Sequence, residues 1–438
     1  MLNAKRYRSY LLVLLTFILA FNFADRIALG VVMQSIKHDL HLTDTMLGLL
    51  SGMAFAVFYS VAGIPLARWA DRSNRVTIIS LTTAIWSVAV ALCGAAGSFA
   101  QLLGIRVFVA VGEAGCIPPS QSLIADHFDR AERPRAAARY MMGLPLAMTL
   151  GYFAAGLLSQ RLGWRWMFVA IGAPGVVLAI LAAATLRDPR SRPVARSVVD
   201  VPTVPPEPSL IEVIRTLGAN RTFLHLMACF VVWYFFAYGL LQWQPTFFIR
   251  SHRMPLGELG VWLAISSGGG ALMGTFLGGE WGSRFAAGNE RLQLIAVAIM
   301  FSVFALFNMG AYLAPTAPLA FGLIAVAGVV GNMAQGPILA TIQSLVPARM
   351  RAVALAILYL FANLVGMGLG PLGVGALSDA LHPWAGDESL RYALLVFAPG
   401  YFWAAWHSWR ASRTVMRDLA EPVVPGAVLV PAIAGVSL

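Results

Sequence analysis

The sequence predicts an all-α polytopic membrane protein with 12 transmembrane helices in two pseudo-symmetric six-helix bundles. Three observations predict it. Of the 438 residues, 59% are hydrophobic and only 12% charged, about half the roughly 25% charge of an ordinary soluble domain. The apolar residues gather into twelve segments, each at least as long as the roughly 20 residues that a helix needs to cross a bilayer. Several unusual positions then recur at one offset of 219 residues, as they would in a duplicated half.

Each segment is bounded by charge, Pro or Gly. Spans one to twelve run over 8–33, 45–67, 76–97, 99–125, 136–160, 164–186, 222–249, 257–281, 292–313, 315–346, 351–379 and 389–409. Lys5, Arg6 and Arg8 ahead of the apolar run that starts at Leu11 resemble the flank of a signal peptide. Asp25 and Arg26 then follow with no small-residue cleavage site, so span one is expected to remain in the chain. Lys and Arg set the orientation. The N-terminus, the loops after even-numbered spans and the C-terminus hold 23 of them, and the opposite loops hold 6, which places both termini in the cytoplasm.

The connection over 187–221 is rich in Pro and Arg and reads as a flexible cytoplasmic linker. The expected layout is an N-terminal bundle over 1–190, a linker over 191–221, a C-terminal bundle over 222–415 and a cytoplasmic tail over 416–438. The tail is apolar, but Pro422, Pro425, Gly426, Pro431 and Gly435 break it, so no thirteenth span is expected.

Composition also excludes function classes. A mean hydropathy of +0.74 rules out a soluble enzyme, a disordered chain and a secreted disulfide scaffold. Cys93, Cys116 and Cys229 lie in apolar runs and are odd in number, so neither a disulfide framework nor a zinc site is implied. The net charge of +11 is spread as small arginine groups between spans, a pattern of topology and not of nucleic-acid binding. No phosphate-binding glycine loop argues for an ATP-driven pump, and the histidines have no ligand spacing. No cofactor, metal or nucleic-acid partner is expected.

The offset of 219 residues joins three clusters at equivalent places. Gly63, Asp71 and Arg72 correspond to Gly282, Glu290 and Arg291 after spans two and eight. Gly112, Glu113 and Pro118 correspond to Gly331, Asn332 and Pro337 in spans four and ten. Gly151, Gly156 and Ser159 correspond to Gly370, Gly375 and Ser378 in spans five and eleven. Single glycine matches mean little in a chain with 41 of them; three clusters in one register point to a six-plus-six duplication.

These features resemble the major facilitator superfamily: two halves of six spans, a basic loop Ala67-Arg68-Trp69-Ala70-Asp71-Arg72-Ser73-Asn74-Arg75 after span two, and Gly163-Trp164-Arg165-Trp166 before span six. Within it, Asn22-Phe23-Ala24-Asp25-Arg26 resembles the Asn-Tyr-x-Asp-Arg of the Spinster branch, and Gly112-Glu113-Ala114-Gly115 matches that branch as well. Two positions depart from the pattern. Ala67 stands where the superfamily loop usually has Gly, and Phe23 replaces the Tyr, removing any hydroxyl role there.

Four charges inside spans need a reason, since each costs about 2.5–3.5 kcal/mol at the centre of a membrane helix: Asp25, Arg26, Arg106 and Glu113. Arg106 and Glu113 are seven apart and so lie about 20° apart on one helix face. Asp25 and Arg26 diverge by about 100°, so they are expected to take different partners. The resemblance implies that spans one and four face a central cavity where all four meet. One reading is a neutral ion-pair network that fixes packing. The favoured one is a proton switch, because desolvation and a neighbouring arginine move a carboxylate's proton affinity in opposite directions. Asp25 and Glu113 are then the proton-coupling residues, with Arg26 and Arg106 as counter-ions or headgroup-binding groups. The repeat puts Gln244 and Asn332 at the matching places, so coupling is expected in the N-terminal half alone.

Asp71, Arg72 and Arg75 follow span two. Positive-inside topology would explain them, Arg75 above all; the resemblance implies a cytoplasmic gate, and Asp71 would suit the N-terminus of span three. Tyr234, Tyr238 and Gln242 share one face of span seven, as either packing or a substrate wall. Asn332 and Gln335 in span ten and Asn363 in span eleven are expected to hydrogen-bond between helices or to touch substrate.

The expected function is secondary transport by alternating access, proton-coupled or proton-sensitive. The Spinster resemblance implies amphipathic lipid substrates such as lysophospholipids or sphingoid lipids, with protons and membrane lipids as the other partners and a monomer as the usual state. Compact loops suggest a bacterial inner (plasma) membrane. The rivals are a proton-coupled multidrug antiporter, whose span-five motif Gly143, Pro145, Gly151 and Gly156 match only loosely, and, more remotely, a lipid-modifying membrane enzyme or a transport-dead receptor.

Overall fold

A computed structural model describes residues 4–129, 132–191, 209–285 and 288–420. Among them every regular element is helical. A helix meets its own backbone hydrogen-bonding needs, which lipid cannot do for it. Ten runs are long and apolar enough to cross a membrane: Lys5–Leu40, Asp44–Ala70, Arg75–Cys93, Phe99–His127, Arg135–Thr185, Arg221–His252, Leu256–Trp281, Glu290–Leu313, Ala317–Leu345 and Val353–Ala420. The fifth and the last, with 51 and 68 residues, hold predicted spans five with six and eleven with twelve. Each breaks at a glycine of positive φ, Gly163 at 78° and Gly386 at 55°. That conformation comes readily to glycine and ends the first limb. Both ends of the fifth run return to span one: Thr16 donates to Arg139 O and Tyr10 bonds Thr185. Each such run therefore folds back on itself as two limbs.

Local sequence sets where the runs begin. Asn74, Ser98, Asn220 and Asn289 each cap a helix by accepting from a backbone N–H two or three residues on, satisfying donors that would otherwise be orphaned. Ser209 caps a further helix, Leu210–Ala219, through Glu212 N. Part of the region expected as flexible linker is therefore helical. Its Val213 and Leu217 are buried, and that apolar face is what holds it. Residues 192–208 and the tail from 421 lie outside the described residues, while the last helix carries the chain through Ala420.

The halves repeat each other in three dimensions. Span one packs on the limbs of spans five and six, and span seven on span eleven. Spans three and four pair, as do nine and ten; two lies on four, and eight on ten. Span four breaks between Phe99–Ala114 and Ile117–His127, and span ten between Ala317–Met333 and Gln335–Leu345, so the first limbs end at the offset of the sequence repeat. Gly112 and Gly331 do the same work in each half. A Cβ on Gly112 would lie 2.8 Å from Trp86 of span three, and one on Gly331 2.5 Å from the ring of Phe304 of span nine.

The described chain ends, near Tyr7 and Asp418, lie on the side of the connection between spans six and seven. Arg187 N at the end of span six donates to Tyr7, and Thr222 at the start of span seven donates to Asp418. On the opposite, far side the halves meet closely. Gly48 lies against Pro371 O, and a Cβ on Gly156 would be 2.7 Å from Gly260 Cα. One apolar core, including Val32, Ile36, Leu50, Phe168, Trp243 and Phe248, runs through this far side and the C-terminal bundle. On the terminal side the N-terminal bundle keeps a separate core of its own around Leu11, Leu15, Ile18, Ile79, Leu123 and Tyr140. Among the described residues the halves share a buried core on the far side, and the molecule is clasped there.

Candidate transport site and its gates

The four charges of spans one and four meet as two crossed ion pairs. Arg106 Nη1 donates to Asp25 Oδ2 at 2.5 Å. Arg26 donates to Glu113 Oε2 from Nε at 2.8 Å and from Nη2 at 2.5 Å. The divergence of Asp25 and Arg26 around span one sends each to a different residue on the shared face of span four. Asp25 and Glu113 are fully buried and Arg106 is 1% exposed, while the Arg26 side chain keeps 13% of its surface. The two carboxylates also lie within electrostatic reach of each other, so two acids and two bases form one cluster. Burial at this depth requires such pairing. Asp25 Oδ1, Glu113 Oε1 and Arg106 Nε have no hydrogen-bond partner among the described residues.

Arg26 is the member of the cluster that faces outward from its bundle. Its guanidinium lies over the rings of Phe23 and Phe55, both at 4.3 Å, and of Tyr59 at 5.0 Å, a cation–π cage that favours a planar cation. Its Nη1 also reaches Met367 Sδ of span eleven at 3.6 Å, so it touches both halves. Phe23, which lacks the hydroxyl of the motif it resembles, supplies a ring face to this cage.

The facing wall comes from span seven. Tyr238 lies within electrostatic reach of Arg26, and its ring neighbours Tyr234 at 5.5 Å. Tyr234 stacks back on Phe230, in the core. Gln242 goes elsewhere: its Nε2 approaches Met33 Sδ at 3.6 Å, and a Cβ on Gly30 would lie 3.2 Å from it, so it fills the seam between spans one and seven. Asn332 donates to Gly328 O of its own helix at 2.8 Å while its Cβ packs on Gly274 of span eight. Gln335 opens the second limb of span ten, and Asn363 lies in a π-helical turn, Ala362–Met367. Of the six polar span residues, Tyr238 is the one brought to the charges.

The far side carries a polar clasp that one-dimensional reading missed. Asp44, at the start of span two, accepts both Nη1 and Nη2 of Arg250 of span seven at 2.6 Å, Lys37 Nζ at 2.6 Å and Ser378 Oγ of span eleven at 2.7 Å. Asp379 accepts from Asp44 N at 3.0 Å and Thr45 N at 2.7 Å, so a carboxylate of one half caps a helix of the other. Gln34 completes it, accepting from Arg250 Nε at 2.8 Å. Lys37 and Arg250 are two of the six basic residues counted in the opposite loops, and Asp44 looks like an ordinary helix-start acid after Thr43. Nothing local announces a partner 206 positions away.

On the terminal side Asp71 and Arg72 lie in the last turn of Ala54–Arg72, and span three begins at Arg75 behind the Asn74 cap. The expectation that Asp71 sits at the N-terminus of span three is corrected: Ser73 is extended, which ends the first helix, and the Asn74 side chain takes the capping position. Arg75 is fully buried and donates to Asp188 Oδ1 at 2.5 Å, Asp126 Oδ2 at 2.6 Å and Ser122 at 2.9 Å. It binds the start of span three to the ends of spans four and six within one bundle. Burial disfavours the charge on Asp188, but the bonds from Arg75 outweigh it and hold that carboxyl down at about 2.

A family model described as the Major Facilitator Superfamily matches residues 15–412. The chain belongs to the Major Facilitator Superfamily. It is therefore a multi-pass membrane transporter and not an enzyme. It is 33% identical over 407 residues to an MFS-type efflux pump of Mycolicibacterium smegmatis, covering 91% of each chain. Human protein spinster homolog 1 is 30% identical over 255 residues, 57% of this transporter and 48% of that protein, so the match spans about half of its length. Its fold matches a bacterial homolog of the human lysosomal transporter Spinster in an inward-facing, unoccupied conformation, with a TM-score of 0.81, 31% identity, and 95% and 99% of the two chains covered. The Spinster resemblance noted in spans one to four thus extends over nearly the whole transporter.

Proposed function

We propose that the chain is a proton-coupled secondary transporter of amphipathic, lipid-like small molecules, with Asp25 and Glu113 as the proton-binding groups. The crossed pairing of Arg26 with Glu113, beside the tyrosine of span seven, is the observation that carries this reading. An anionic headgroup that engages Arg26 competes with Glu113 for one guanidinium. A buried carboxylate that loses its arginine takes up a proton more readily, so substrate and proton binding become linked. The unpartnered Oδ1 of Asp25 and Oε1 of Glu113 are the atoms that would receive it. The aromatic cage and tyrosine wall suit an amphipathic body next to that charge. Tyr234, Gln242, Asn332, Gln335 and Asn363 then support the walls, and Arg106 holds Asp25 as its counter-ion.

Alternating access follows from exchanging the far-side clasp for a terminal-side one, with Asp71, Arg72 and Arg75 as the cytoplasmic gate. The asymmetry of 23 basic residues against 6 supports an inner (plasma) membrane location with both termini cytoplasmic, and hence an inward-facing state. The transporter acts as a monomer in this reading. A second reading, proton-driven export of drugs, is favoured by the similarity to the mycobacterial efflux pump.

Flux in proteoliposomes separates the two. Labelled lysophospholipid should move faster with a pH gradient than without, and Glu113→Gln should reduce the driven part to the level of empty liposomes. Lipid flux indifferent to both changes would leave a facilitator and remove the coupling. Gradient-driven flux of a cationic dye with none of lysophospholipid would select export of drugs.

A further inference from the structure

We propose that the terminal-side ends of spans seven and twelve form a binding site for the headgroup of an anionic phospholipid. Span twelve ends in Trp403, Trp406, His407, Trp409, Arg410 and Arg413, spaced by three and four so that most share one helical face. That face is turned away from the bundle: Trp403 is 55% exposed, Trp406 46% and Trp409 38%. Tryptophans at the end of an apolar run mark the depth of the lipid headgroups.

The cations on this face are held by rings and not by acids. Arg413 lies over Trp409 at 3.8 Å and Arg410 over Trp406 at 5.5 Å. Among the described residues neither arginine has an ion pair. Span seven adds His225, whose Nδ1 is 3.1 Å from His407 Nδ1, whose ring meets Trp406 edge to face at 6.0 Å, and which feels the charge of Arg410. Asp418, near this end, is engaged by Thr222 N and Oγ1 and by Arg417. Arg410 and Arg413 therefore gather beside the paired His225 and His407, and among the described residues no carboxylate bonds these two cations. A phosphodiester would neutralise them through charge-assisted hydrogen bonds, for which arginine is the better donor. The adjoining exposed tryptophans face the bilayer and would receive its acyl chains, which selects a lipid over a soluble anion.

Native mass spectrometry of the detergent-purified chain tests this, with phosphatidylglycerol and phosphatidylcholine of equal chain length. The unaltered protein should favour phosphatidylglycerol by about tenfold or more. Arg410→Gln combined with Arg413→Gln should erase the preference and leave phosphatidylcholine adducts unchanged. A preference that survives the double substitution, or is absent from the outset, overturns the proposal, and so does displacement of phosphatidylglycerol by millimolar inorganic phosphate. A second measurement needs no variant. Diethyl pyrocarbonate labelling of His225 and His407 should fall several-fold in phosphatidylglycerol nanodiscs relative to phosphatidylcholine nanodiscs, and equal labelling also overturns it.

Discussion

Among the described residues Arg106 is a buried charge with a single ionic partner. Its Nη1 is bound to Asp25 while its Nε stays unpartnered, so removing Asp25 leaves a buried, uncompensated guanidinium. Asp25→Asn should destabilise the protein by about 3–5 kcal/mol, the usual cost of breaking such a pair from one side, read as a fall in the thermal midpoint in detergent. Asp25→Asn with Arg106→Leu, which removes both charges, should recover most of it. A single variant as stable as the parent would mean that Arg106 is solvated there. The four charges were legible in the sequence because each is so improbable inside a span. Which acid takes which base was not, because it depends on the relative rotation of spans one and four. The polar face of span seven was read as a unit, yet only Tyr238 reaches the charges. The face runs over about two helical turns, and neighbouring helices meet each turn differently.

At the scale of elements, helix ends do more than turn the chain. Arg75 opens span three and joins it to Asp188, just beyond span six, and to Asp126, at the end of span four. The Asp188 carboxyl, at about 2 against an ordinary 3.8, is depressed in the folded state. Its contribution to stability is therefore complete above about pH 4 and is lost as the pH falls toward 2. The thermal midpoint of the parent should drop over that window, and Asp188→Asn, lower at neutral pH, should drop less. An equal acid response in both would show that Arg75 does not hold this carboxylate. The helical stretch Leu210–Ala219 shows the opposite case. A Pro- and Arg-rich connection hid a short capped amphipathic helix, since the composition of the whole segment masked the pattern of ten residues.

For the whole molecule, the balance between the two halves sets which side is open. The clasp of Asp44 with Arg250, Ser378 and Lys37 exists only while the far side is shut, and therefore biases the equilibrium toward that state. Asp44→Asn weakens the bonds to both cations and should shift population toward opening. Spin labels replacing His38 and Ala380, on opposite halves, should then report a longer far-side distance in a larger fraction of molecules. An unchanged distribution would assign the closure to the glycine contacts, Gly48 on Pro371 and Gly156 on Gly260, and not to the ions. Such tight backbone approach across a seam makes a two-position joint and not a soft one.

The sequence by itself determined the membrane, the helices and the duplication, and its motifs carried the resemblance to the family. The first three follow from composition and period, which act within a few residues or repeat at one offset. It also singled out Asp25, Arg26, Arg106 and Glu113, because burial of charge is costly wherever the chain goes. Only the tertiary structure decided the crossed pairing, the far-side clasp, the cage around Arg26 and the stacking of Arg410 and Arg413 on Trp406 and Trp409. Those rest on contacts between residues up to hundreds of positions apart, fixed by helix rotation and by where glycines let two backbones touch. A charge in a loop looks alike in one dimension whether it faces water, lipid or the other half; only the packed helices distinguish them.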